Sequence, residues 1–278
     1  MNIKFSPGLP VLRVASVGAL ALLVAAFTSA PLLAADPQTL VASQDTFIHG
    51  GNQTTNYGNS TSLALAGRGV SNARKIYLGF DLSGIDSSVA FDASSTFSLT
   101  LTNSSFLIGN ANGSVTINVY GTTDNTAPFS EASVTWNNAP KNNTSNSTGF
   151  WTTGVTLLGS ITIDSTSVSG NTTVTLSGLG LSNYLNWAIG NSGDLYGTGA
   201  TQANSKKITL MLAVDAAYGG TDYPGFNFHS SEAGVADALK PTLTLSTSEI
   251  PEPATIAIIA GVAVLVAGAF WRHSCRRR

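Results

Sequence analysis

Strict alternation of polar and apolar residues is the feature that most limits what this chain can fold into. In TFSLTL (96–101), Phe97, Leu99 and Leu101 alternate with Thr96, Ser98 and Thr100. In VTINVY (115–120), Val115, Ile117 and Val119 alternate with Thr116, Asn118 and Tyr120. KITLML (207–212) sets Ile208, Leu210 and Leu212 on one side, and PTLTLS (241–246) does the same with Leu243 and Leu245. Successive side chains of an extended strand point to opposite faces, so a period of two collects one apolar row on one face. Turn-forming clusters of Gly, Asn and Asp separate the runs. One apolar and one polar face fits antiparallel strands in a two-layer sandwich. One segment departs from the pattern. In LSNYLNWAIGN (181–191), Leu181, Tyr184, Leu185 and Ala188 recur at helical spacing, which predicts a single short helix ended by Gly190. The expected fold class is therefore all-β, an antiparallel β-sandwich with one short helix.

The two ends of the chain do not share this pattern. Residues 1–35 hold Lys4 and Arg13 and then the apolar run VASVGALALLVAAFTSAPLLAA (14–35). That is the pattern of a secretory signal peptide cleaved near Ala34 or Ala35, with an uncleaved N-terminal anchor as the alternative. At the other end, Ala254–Trp271 carries no charge over 18 residues, and Arg272, Arg276, Arg277 and Arg278 follow. A helix of that length spans about 27 Å, near the thickness of a bilayer core. Arginines flanking such a helix stay on the cytoplasmic side, which puts the body outside. Pro251 and Pro253, on either side of Glu252, hold the chain extended at the outer boundary, because no helix passes through them. Residues 249–278 thus read as an anchor.

The body between the ends, 36–248, is long enough for one sizeable core. The only cysteine, Cys275, lies in the tail, so the body holds no disulfide and no cysteine zinc site. From Asp36 to Glu249 there are 14 acidic and 7 basic residues, and that balance argues against nucleic acid as a partner. Catalysis finds little support. His49 and His229 are the only histidines of the body, and no Gly-x-Ser-x-Gly occurs.

Pro-Glu-Pro, one apolar helix and a terminal Arg cluster, in that order, closely resemble the PEP-CTERM sorting signal over the last 30 residues. The resemblance implies a precursor held in the inner membrane of a Gram-negative bacterium after passage through the Sec translocon and trimming by signal peptidase. It implies an exosortase as the partner that cuts at Pro251–Pro253 and releases or transfers the protein outward. The body shows DTFIHGG (45–51), NYG (56–58), RKIYLGFDLSGI (74–85), TWNNAP (135–140) and FNFHSSEAG (226–234) followed by KPTLTL (240–245). In this order the motifs resemble the DNRLRE-type domain, which is similar to the alginate-binding carbohydrate-binding module family. That resemblance implies a jelly-roll β-sandwich that occurs as a module of secreted and surface proteins. Two departures stand out: Phe129 occupies a position often held by Trp, and Ser231 one often held by Arg.

Within RKIYLGFDL, Ile76, Leu78 and Phe80 share a face with Arg74 and are expected in the core, with Lys75, Tyr77 and Asp81 facing the other way. An Arg at the mouth of an apolar row calls for a carboxylate, and Glu232 is the expected partner, pinning the last strand to the third. Lys75, Tyr57 and Trp151 are the candidates for polysaccharide binding, since exposed aromatic rings stack on sugars, although such aromatics also serve as core or loop anchors. Trp136 is expected to be structural. Asp45, with Thr46, could ligate a structural calcium, or could bond its own backbone at a strand start. The expected function is an exported, non-catalytic surface or extracellular-matrix protein, sorted by exosortase and binding exopolysaccharide. The alternatives are a matrix protein without glycan affinity and a polysaccharide-degrading enzyme.

Overall fold

The computed structural model describes residues 36–102, 114–123, 129–164, 170–190, 206–217 and 225–249, all within one compact unit, Ala34–Glu249. The expected signal peptide (1–35) lies outside the described residues, as do Pro251, Glu252, Pro253, the apolar run and the terminal arginines Arg272, Arg276, Arg277 and Arg278. Among the described residues no helix is long and apolar enough to cross a membrane.

The strands in chain order are β1 (Gln38–Val41), β2 (Gln44–His49), β3 (Ser62–Ala66), β4 (Arg74–Asp81), β5 (Val89–Phe91), β6 (Thr96–Thr100) and β7 (Ser114–Thr122). They continue with β8 (Val155–Asp164), β9 (Thr173–Ser177), β10 (Lys207–Val214), β11 (Gly225–His229), β12 (Thr242–Leu245) and β13 (Thr247–Glu249). The smaller sheet runs β1-β12-β6-β9 and the larger runs β11-β3-β4-β10-β7-β8, with β2 also paired to β4. β13 and β5 form a separate ribbon, and the described pairings are antiparallel throughout. Each of the four alternating runs forms the strand its period predicts.

The alternation decides which side chains meet between the sheets. Phe97, Leu99, Leu243 and Leu245 from the smaller sheet face Ile76, Leu78, Phe80, Ile117, Val119, Leu210 and Leu212 from the larger one. Phe80 and Phe97 touch edge to face across the gap, 6.3 Å between centroids at 82°. Among the described residues the one helix longer than a turn, Leu179–Ala188, buries Leu181, Tyr184, Leu185, Trp187 and Ala188 in this same core. Gly190 follows it at φ 82°, a left-handed conformation that glycine adopts without a side-chain clash, so the expected stop residue is in place.

The larger sheet departs from the expected pattern of one wet and one dry face. Its outer face carries a second buried cluster: Ile48, Tyr77, Met211 and Ala213 lie beneath Phe129, Val134, Trp136, Ala139 and Phe150. Residues 129–154, ahead of β8, fold over that face as a strap. Lys75 and Tyr77 therefore face away from the first core, as expected, but into a second one rather than into water.

Candidate functional site

Lys75 is what holds the strap down. Its side chain is fully buried, and its Nζ donates to Asn142 Oδ1 (2.8 Å), Gly149 O (2.6 Å) and Asn143 O (3.3 Å). The ammonium also lies over the rings of Trp136 (4.8 Å) and Phe150 (5.0 Å). Burial pulls its pKa from 10.5 down to about 7. Three oxygen acceptors and two ring faces oppose that pull, because three donors exist only on the protonated amine. Asn142 is locked in turn by its own Nδ2, which donates to Trp136 O at 2.7 Å. The lysine proposed from sequence as a sugar ligand is thus enclosed by its own chain. Trp136, with no exposed surface, is structural as expected.

At one end of β2 three carboxylates converge. Asp45 Oδ2 accepts from the Ser231 backbone N–H at 2.7 Å, and the Asp45 N–H donates to Glu131 Oε1 at 3.1 Å. Ser231 Oγ donates to Glu232 Oε1 at 2.7 Å. One oxygen from each of Asp45, Glu131 and Glu232 lies within 4.8 Å of the others. Asp45 is buried at 1% exposure, Glu131 is half-buried and Glu232 is exposed. Burial raises the pKa of Asp45 to about 8, with the charge of Glu232 adding to the rise. Glu131 is raised for the same two reasons. These are the residues that could hold a metal ion.

The NYG motif builds the wall of this cluster. Asn56 Nδ2 donates to Glu131 O and Val134 O, both at 2.7 Å, and so clamps the start of the strap. A Cβ on Gly58 would run into the carbonyl oxygen of Glu131, so only glycine lets the two backbones approach. Tyr57, between them, stacks on Phe47 (4.2 Å, 24°), and Asn52 Nδ2 donates to its hydroxyl at 2.9 Å. One ring face of Tyr57 is therefore already covered by protein.

The expected Arg74–Glu232 ion pair does not form among the described residues. Arg74 sits opposite His49 in the β2–β4 ladder, where its charge joins burial in lowering the histidine's pKa. Glu232 turns instead toward Asp45. Glu131 was missed from sequence. Its signal was the Ser-Glu step before the Trp-Asn motif, but nothing local in the sequence joins positions 45, 131 and 232.

Trp151 is the opposite of Lys75: 56% of it is exposed. Its backbone N–H donates to Lys141 O at 2.9 Å. The preceding Phe150 is buried and meets Tyr120 edge-on at 5.3 Å. On the outer face of β7 and β8, Ser160 Oγ donates to Asn118 Oδ1 (2.7 Å) and Asn118 Nδ2 to the Tyr120 hydroxyl (3.3 Å). Leu157, opposite Tyr120, is 53% exposed. An open indole, an apolar shoulder and a row of amide and hydroxyl groups are the chemistry that meets the flat apolar face and hydroxyl rim of a sugar.

Residues 36–176, just over half of the chain, match the model of carbohydrate-binding module family 96. No curated protein matches the chain.

Proposed function

The chain belongs to carbohydrate-binding module family 96, and from that premise we propose that it binds a polysaccharide along the β7–β8 edge of its larger sheet. Its sandwich is a non-catalytic carbohydrate-binding domain. Trp151 is the stacking platform, and Asn118, Tyr120 and Ser160 supply hydrogen bonds to sugar hydroxyls. The observation that carries this reading is the exposure of Trp151, whose chain neighbour Phe150 meets Tyr120 of the polar row edge-on. With Lys75 enclosed and the body rich in acids, the electrostatics favour a neutral glycan over a polyanion. Electrophoresis through gels containing neutral or acidic polysaccharides tests it. A neutral glycan should retard the protein, and Trp151→Ala should abolish the retardation with an unchanged melting midpoint. No retardation on any glycan would leave a structural matrix protein.

The ends of the chain support the second part of the reading. A signal peptide and a Pro-Glu-Pro, apolar-helix and arginine tail fit export through the Sec translocon, exosortase processing, and display at the surface or in the extracellular matrix of a Gram-negative bacterium. Intact mass of the mature protein from the producing cell is the test. Loss of both ends is expected, and retention of Arg272–Arg278 would refute cleavage at Pro251–Pro253.

A further inference from the structure

We infer that Asp45, Glu131 and Glu232 form a calcium site that ties β2, the strap and the segment after β11 together. The inference does not depend on sugar binding. Two observations carry it. The first is convergence: three carboxylate oxygens from segments far apart in the chain lie within 4.8 Å of one another. Two bonds of about 2.4 Å to a single calcium span that distance, whereas the ~2.1 Å bonds of magnesium reach less far. The second is Asp45 itself. Its side chain is almost wholly buried, its Oδ2 is taken by the Ser231 N–H, and its Oδ1 has no hydrogen-bond partner. A buried acceptor oxygen left without a donor calls for a partner, and a cation supplies one.

The surroundings point the same way. Among the described residues, no basic side chain pairs with the cluster to offset its charge. All the donors are hard oxygens, with no cysteine in the body and no histidine in the group, which selects against zinc. Glu232 is exposed and gives the ion a way in.

The test uses the full chain, stripped with a chelator and titrated with calcium alone by calorimetry, with thermal melting alongside. One calcium per chain and a clear rise in the melting midpoint are expected. Glu131→Gln and Glu232→Gln keep size and hydrogen bonding, and each should weaken calcium binding about tenfold or more. Asp237→Asn, an exposed acid outside the group and paired with Lys240, should leave it unchanged. Asp45→Asn replaces a buried group and can fail to fold, so the two glutamine variants decide. No uptake at millimolar calcium, wild-type affinity in both glutamine variants, or magnesium binding as tightly as calcium would each overturn the inference. So would a midpoint that rises in Asp45→Asn while calcium shifts nothing in the parent, since the buried acid would then simply be neutral.

Discussion

Replacing Asn142 by leucine should loosen the strap by removing one partner of a buried ammonium. Asn142 does two jobs: its Oδ1 accepts from Lys75 at 2.8 Å and its Nδ2 donates to Trp136 O at 2.7 Å. Both bonds are buried. A hydrogen bond to a charged group contributes about 1.5–3 kcal/mol, and a buried carbonyl left without its donor costs about 1–3 kcal/mol. Burial of the leucine side chain returns part of this, so a net loss of about 3 kcal/mol is expected. For a domain of this size that lowers the melting midpoint by about 6–12 °C. Lys75→Met behaves differently, because it removes the charge whose burial drags the lysine pKa to about 7, while keeping most of the stem packing. In Lys75→Met the Oδ1 of Asn142 no longer serves a charge. The double variant should therefore lose less than the sum of the single losses, by at least about 1.5 kcal/mol. Urea unfolding followed by tryptophan fluorescence measures all four proteins. A loss under about 1 kcal/mol in Asn142→Leu, or strict additivity, would refute the claim that Lys75 anchors the strap.

Gly58→Ala should cost about 2 kcal/mol or more by pushing the Glu131 backbone away, and it should weaken calcium binding as well; wild-type melting would show that the close approach is dispensable. The Phe80–Phe97 contact joins the two sheets, and a double-mutant cycle with leucine at each position should give a coupling of about 0.5–1.5 kcal/mol. Lys75 also sets a pH dependence. Its folded pKa, about 7, lies below its unfolded value, so between these the unfolded chain holds more protons and stability should rise with pH from about 7 toward 10. Asp45 and Tyr77 have folded values raised by burial and act with the opposite sign, so the rise is read as the difference between wild type and Lys75→Met. A flat difference would mean that the lysine keeps its ordinary pKa.

The strands and the helix were legible because each depends on a local period. Phe97, Leu99 and Leu101 need only their neighbours to declare a buried face, and Leu181, Tyr184, Leu185 and Ala188 declare a helix in the same way. The second core was not legible. Lys75 and Tyr77 alternate with Ile76 and Leu78 and so read as the wet side of β4. What covers them is a strap whose Asn, Ser and Thr composition reads as solvent-loving, although its sparse apolar residues Phe129, Val134, Trp136 and Phe150 do the packing. Arg74 was assigned to Glu232 because an Arg at the mouth of an apolar row calls for a carboxylate and both residues lie in the body's motifs. The fold places Arg74 in the β2–β4 ladder beside His49 and turns Glu232 toward other acids, a juxtaposition that no spacing in the sequence encodes.

The meeting of Asp45 with Glu131 and with Ser231 joins positions 86 and 186 apart in the chain. Closures over such lengths come late and slowly, since most of the chain's freedom must be surrendered before they form. A chain that emerges from its N-terminus holds β2 ready early, yet it cannot complete this corner until the segment after β11 arrives. The corner thus closes late in folding, alongside the still longer-range pairing of β1 with β12 at the end of the domain.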